Sequence, residues 1–395
     1  MSLFIPSPEA APRVPPWRNP RVRAIVWQAL LVLVLLAAAA WLGSNARRAL
    51  AERGMTSGFG FLLDPAQFAL GEAFFVFKPG STYLAAFAVG LGNTVMLSIV
   101  SILTATVIGV GLGFARLSRN ALISGLAKAY VEAFRNTPQL VQIVFWYIFF
   151  TLLPAPRAAW SIFGFAFASN RGLTVPAPEH GDVLLLVAGA LAAGSALALI
   201  LAHVADRSRR RTGRRWRGLT SLEVAAVLVP PVAVWWLAGA PLAWSVPQLR
   251  GFNYVGGATL APEFLAIYFG LSLYIAAFIA EIVRGGLVSV DAGQIEAANA
   301  IGLSRRDLYR KVMVPQALRV IIPPLAAQYV SLVKNSSLGV AVGYPDLFSI
   351  SNTALTYSGR TIEVLVIMSL IYLLLSLAIG TTANVLNRLV QIPER

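Results

Sequence analysis

The chain has 395 residues, of which 57% are hydrophobic and only 12% charged, with a mean hydropathy of +0.71. A soluble domain carries charged residues at about twice that fraction, so a water-soluble fold is excluded and lipid is the solvent this chain requires. The net charge of +15 fits loops facing anionic headgroups better than a nucleic-acid partner, because no basic domain stands clear of the apolar segments; zero cysteines exclude disulfides and thiolate metal sites.

A helix that crosses the hydrocarbon core needs about 20 mostly apolar residues. In chain order, intervals free of Asp, Glu, Lys and Arg run over Ala24–Ala46, Pro79–Ala115, Asn136–Pro156, Val183–Ala205, Val224–Leu249, Phe264–Ala280 and Val364–Asn387. Ala317–Val342 is a further apolar stretch, interrupted by Lys334 and, near its start, by Arg319. The pattern predicts an all-α integral membrane protein with about eight transmembrane helices. Met1–Arg23 lacks the short apolar core and small-residue cleavage site of a secretory signal.

Cytoplasmic loops retain Lys and Arg. With the N-terminus inside, basic residues on the cytoplasmic side outnumber those outside by about three to one. Both termini are therefore expected in the cytoplasm. The Arg47, Arg48 and Arg53 cluster is the one local exception.

Four zones follow. Residues 1–78 hold a cytoplasmic N-terminus, a first span and an outside segment. Residues 79–153 hold two spans joined by a short basic loop. Residues 154–261 read as an insertion in which Pro- and Trp-punctuated outside loops flank two spans joined by the Arg-rich turn at 206–217, a topological stop. Residues 262–395 supply the remaining spans. His180 and His203 fall on opposite sides, so no metal site is expected.

The cytoplasmic segment 287–315, between two spans, is patterned. Gln294-Ile295-Glu296-Ala297-Ala298 are followed by Gly302, suited to a break between helices. Ser304 can cap a second helix, with Asp307 three positions on; Leu308, Val312 and Met313 give an apolar stripe, and Pro315 is expected to stop it. Ala297 and Ala298 offer a small-residue surface to another protein, or the element lies on the membrane as an interfacial helix.

Glu296-Ala297-Ala298, Gly302, Leu303, Ser304 and Pro315 resemble the EAA signature of ABC-importer permeases. Tyr274, Ala280-Glu281, Arg284-Gly285-Gly286, Gly293-Gln294 and Pro315-Gln316-Ala317-Leu318-Arg319 resemble its polar amino-acid branch. So do Tyr130, Glu132, Arg135, Thr137-Pro138 and Leu140-Val141-Gln142 upstream, and Lys334-Asn335-Ser336-Ser337-Leu338 downstream. The likeness covers 79–153 and 262–387; the first span and the insertion resemble the longer permeases of general L-amino-acid transport systems. It implies a five-helix type I permease core in the bacterial inner membrane. It also implies coupling helices docked on a separate ABC ATPase that binds ATP and Mg, a second and unlike homologous permease, and a periplasmic amino-acid-binding protein. No cofactor is expected on this chain and membrane lipid surrounds it. Consistently, none of Lys78, Lys128, Lys311 or Lys334 follows a glycine, so the chain has no phosphate-cradling G-x-x-x-x-G-K motif and is not expected to be an enzyme.

A charge inside the membrane costs on the order of 2.5–3.5 kcal/mol at a helix centre. Lys334 with Asn335, Ser336 and Ser337 therefore lines a translocation path or gate, or else is a structural lysine paired in the bundle, with Glu363 as a candidate partner. Glu132/Arg135 and Glu281/Arg284 are spaced i, i+3, which favours mutual neutralisation over a gate; Tyr274 lies in the same stretch as the second pair. Thr94, Ser98 and Ser101 read as close-packing and interhelical hydrogen-bonding positions, and the glycines of that span as points of close helix approach. The rival class, an ion-coupled secondary transporter, predicts inverted repeats with broken spans and midplane acids; no such repeat is read here.

Overall fold

The computed structural model describes residues 20–52, 58–71, 77–78, 80–212, 218–239 and 243–390. Arg13 and Arg18, the end of the Arg-rich turn and Arg395 lie outside them.

Helix α1 (Pro20–Glu52) is apolar along Val22–Asn45 and buries none of that stretch, so it adds a span without joining the core. A 3-10 turn (Phe59–Leu63) follows, and Phe61 and Phe68 pack edge-on against Tyr83 at the start of α2 (Tyr83–Ala115). Where the sequence predicts a basic loop, the structure has α3 (Ala121–Asn136): Asn120 caps it by accepting the Leu122 N–H at 2.9 Å, and the residues that follow are mostly helix formers. Pro138 ends it. The carbonyls so freed are taken up locally: the Gln142 amide donates to Phe134 O at 2.9 Å and Thr137 O at 3.0 Å. Helix α4 (Gln139–Thr151) has 13 residues, about 20 Å, against a hydrocarbon core of about 30 Å.

The outer loops of the inserted segment contain strands that the sequence reading did not anticipate. These are β1 (Trp160–Ile162), β2 (Ala166–Ser169), β3 (Gly172–Val175) and β4 (Ala177–Pro178). Helix α5 (Gly181–Thr212) continues through the first half of the predicted Arg-rich turn. Helix α6 (Leu219–Leu237) ends well before the predicted Leu249, because Gly239 takes φ +85° and the chain turns into β5 (Trp244–Ser245). Next come β6 (Gln248–Arg250), β7 (Asn253–Val255) and β8 (Ala258–Leu260). The largest sheet is antiparallel in the order β1-β2-β3-β8, with β4 paired to β5 and β6 to β7.

Helix α7 (Pro262–Val288) is the centre of the bundle. It runs parallel to α2: Gly109 faces Ile279 and Ala276, and one turn on Gly113 faces Val283 and Ala280. A Cβ at Gly109 would lie 2.6 Å from Ile279 Cβ. In lipid the apolar effect does not drive helices together, so this backbone-close packing and bonds such as Thr104 Oγ1 to the Tyr268 hydroxyl, 2.8 Å, hold the pair.

After α7 come α8 (Ala292–Ala300), α9 (Arg305–Asp307), a π turn (Leu308–Met313) and α10 (Val314–Asn335). Pro315 does not stop the helix as expected. It lies in the first turn of α10, where a missing N–H is tolerated, directly after the π turn has changed the bonding register. The predicted span does run to Val342, α-helical as far as Asn335 and 3-10 helical beyond it. A 3-10 stretch (Ser336–Val342) and the left-handed Gly343 then lead to an additional half-length helix, α11 (Leu347–Ser358), seated on Gly90 of α2. Helix α12 (Thr361–Val390) closes the bundle. Among the described residues, six helical stretches are long and apolar enough to cross a membrane, and two shorter apolar helices, in α4 and α6, bring the number to about eight.

Candidate functional site

Three clusters hold the residues singled out from the sequence. The first is the α8 element. Asp291 caps α8, accepting the Gly293 N–H at 2.6 Å. Its other end closes with two hydrogen bonds: Leu303 N–H donates to Ala298 O at 3.1 Å and Gly302 N–H to Asn299 O at 3.0 Å. This Schellman pattern requires the left-handed φ of +73° that Gly302 adopts. Ser304 then caps the next helix by accepting the Asp307 N–H at 3.2 Å. Lys311 and then Ser304, both hydrogen-bonded to the Asp307 carboxyl, hold it below the usual carboxylate range, so it stays ionised at neutral pH. Glu296 and Ala297 are exposed and Leu303 and Pro315 half-buried. Ala298 is 4% exposed and faces inward, so the expected small-residue surface belongs to Ala297 alone. Ile301, 77% exposed, displays an apolar side chain that the sequence reading passed over; its position beside Gly302 was the available signal.

The second cluster lies where α2 and α7 end together. Glu281 accepts from Arg284 Nε at 3.0 Å and also pairs with Arg116 at the end of α2. The Glu281/Arg284 pair is therefore present, widened by a third charge from another helix. The Glu132/Arg135 pair is not. Glu132 faces Lys128 at 3.7 Å, and Arg135 lies over the Phe278 ring, 5.2 Å from its centroid, because α3 packs against α7 and offers an aromatic face. Tyr274 packs on the same Phe278.

The third cluster is the joint between α10 and α11. The Asn335 amide donates to Gln139 Oε1 at 2.7 Å, at the break between α3 and α4. Lys334 is exposed on the protomer and Ser337 donates to its carbonyl at 2.8 Å. Glu363 is not its partner: that carboxylate accepts the Gly58 N–H at 2.7 Å. Ser336 is buried and donates to Asp346, a residue the sequence reading passed over. Asp346 is fully buried, accepts the Ser349 N–H at 2.8 Å and receives the Tyr372 hydroxyl at 3.3 Å. Asn93 and Thr94 of α2 close the joint by bonding Pro345 O and the Leu347 N–H at 2.9 and 3.0 Å. Thr94 thus bonds between helices as expected, whereas the buried hydroxyls of Ser98 and Ser101 find no partner among the described residues. No group of three or more metal-ligating side chains occurs among the described residues.

The family model of the binding-protein-dependent transport system inner membrane component matches residues 194–391, from within α5 to the end of α12. The chain belongs to this family. As a member of it, the chain is similar over nearly its whole length to several relatives. It is 44% identical to the putative amino-acid ABC transporter permease protein YhdX of Escherichia coli (strain K12), covering 95% of this chain and 96% of that one. It is 40% identical to the general L-amino acid transport system permease protein AapQ of Rhizobium johnstonii, over 95% and 94%. With the glutamate/glutamine/aspartate/asparagine transport system permease protein BztB of Rhodobacter capsulatus it shares 34%, over 95% of each.

Proposed function

We propose that the chain is the membrane-spanning permease subunit of an ATP-driven ABC importer that moves amino acids, polar or broad-range L-amino acids, from periplasm to cytoplasm by alternating access. The α8 element carries the reading: a capped helix, a left-handed stop and a second capped helix stand exposed at one end of the bundle, in a chain whose full-length relatives bear the names of amino-acid permeases. Glu296, Ala297 and Ile301 present the surface on which an ABC ATPase docks, and Gly302, Leu303 and Ser304 set its angle. ATP and Mg are held by that ATPase and none by this chain. The α8 end faces the cytoplasm, as do both termini, and the β strands face the periplasm. An unlike homologous permease and a periplasmic amino-acid-binding protein complete the system, surrounded by membrane lipid.

Lys334 supports a path or gate at the middle of the bundle. It is exposed on the protomer, and facing lipid there would cost on the order of 2.5–3.5 kcal/mol, so it faces the translocation path or the second permease. Glu281 with Arg116 and Arg284, and Arg135 on Phe278, tie the inner ends of the helices together and form the inner gate. An ion-coupled secondary transporter finds no support among the relatives.

Affinity purification of the chain from its native membrane tests the reading. An ATPase and a second permease should come with it, hydrolysis should rise with liganded binding protein, and Glu296→Lys should cut ATPase recovery at least about tenfold while membrane insertion is unchanged. Recovery of the chain alone, transporting under an ion gradient, would overturn it.

A further inference from the structure

We propose that the β-layer at the end of the bundle opposite α8 is a docking surface for the binding protein, recognising an acidic rim around an apolar patch. The proposal rests on the importer reading above. Strand β8 leads directly into α7 and α8 follows its far end, so the layer and the α8 element are separated by the 27 residues of α7, about 40 Å. One end is assigned to an ATPase; the other is open to the solute side.

The layer is fixed to the bundle at one edge and free at the other. Ala168, Leu173 and Leu260, on β2, β3 and β8, pack against the buried core, while β1 lies at the opposite edge of the sheet. At the free edge, Phe163 and Gly164 turn β1 into β2 with φ of +52° and +78°. Phe163 is the one non-glycine at positive φ among the described residues. Such a turn favours Asn, Asp or Gly, and a bulky residue there is strained. Its ring is also 87% exposed, its contact being the half-exposed Phe165. A strained backbone that displays an apolar ring to the surroundings contributes nothing to the fold, and the ring's use lies outside the chain.

Charge says what covers it. Residues 154–179 and 243–261 contain the exposed Arg157, Arg171 and Arg250 against a single acid, the exposed Glu179, whose N–H extends the β4–β5 pairing by donating to Ala243 O. Arg157 also lies 3.9 Å from the centroid of the exposed Phe252 ring and donates to Gly251 O at 3.1 Å, which holds a second aromatic tip in place. A surface that is cationic on balance and displays aromatic rings fits an acidic partner. Anionic lipid is the weaker candidate, since its field belongs to the cytoplasmic leaflet and outer loops ordinarily shed Arg.

The test uses the whole complex in nanodiscs and the cognate binding protein loaded with its amino acid. Phe163→Gly removes the ring and relieves the turn, so the variant should be at least as stable as the parent, and ATP hydrolysis without binding protein should be unchanged. We expect its affinity for the binding protein to fall about tenfold. Arg171→Glu with Arg250→Glu should slow association and flatten its dependence on salt. Parental affinity and association rate in both variants would overturn the docking surface and leave the importer reading standing, as would an effect seen only when the nanodisc lipid is made anionic. A parental complex that neither binds nor responds to the binding protein would overturn the importer reading itself.

Discussion

Asp346 is a carboxylate in the middle of an apolar bundle, and its surroundings explain why it is tolerated. It caps α11 at Ser349 and accepts from both Ser336 and Tyr372. Replacing it with alanine removes a helix cap, worth about 1 kcal/mol, and takes an acceptor from the buried Ser336 and the partly buried Tyr372 hydroxyls, at about 1–3 kcal/mol for a buried group left unsatisfied. Asp346→Ala should therefore lower the thermal midpoint of the detergent-solubilised protein strongly, and Asp346→Asn, which keeps an acceptor at the cap, should retain most of it. Equal losses would show that the cap is not what matters. At this scale the sequence was partly legible. Glu281 and Arg284 could be paired from their spacing, since an i, i+3 pair shares a helix face. Arg135 could not, because the Phe278 ring that takes it comes from a distant helix. Asp346 carried a signal, an acid within an apolar stretch, but it drew less notice than Lys334.

Elements were legible where local chemistry decides them. The Gly302 stop and the Ser304 cap follow from backbone rules that act within a few residues, and both are present. The fate of Pro315 was not legible, because proline suits both the residue after a helix end and the first turn of the next helix, where it lies. Helix α11 was hidden for another reason: its break from α10 is stitched by Asn93 and Thr94 of α2, far away in the chain. The Gly302 joint sets the angle between α8 and the helix that continues into α10. Valine there would strain the left-handed turn by about 1–3 kcal/mol and shift that angle. Gly302→Val should leave the ATPase associated but reduce binding-protein-stimulated hydrolysis by roughly tenfold, measured on the reconstituted complex. Unchanged stimulation would mean that the joint does not transmit motion.

For the whole molecule, the two-block reading of the core makes a demand on the hairpin of α5 and α6. These helices pack on each other far more extensively than on any other element, with Gly194 of α5 against the Ala226 backbone of α6. The strands that flank the hairpin pair antiparallel, Ala177 with Ser245 and Pro178 with Trp244. Excising residues 179–243 and joining Pro178 to Trp244 through Asn-Gly would close β4 and β5 as a two-residue hairpin, a turn that this dipeptide favours. Two spans would be lost together, so the orientation of α7 to α12 would be preserved. The shortened chain should insert with its C-terminus on the same side, read by a terminal reporter, and should recover its ATPase at a level within about twofold of the parent, because α8, α7 and α2 keep their mutual contacts. Failure to insert, or loss of the ATPase, would show that the hairpin is part of the core and that the boundary between the blocks is wrong.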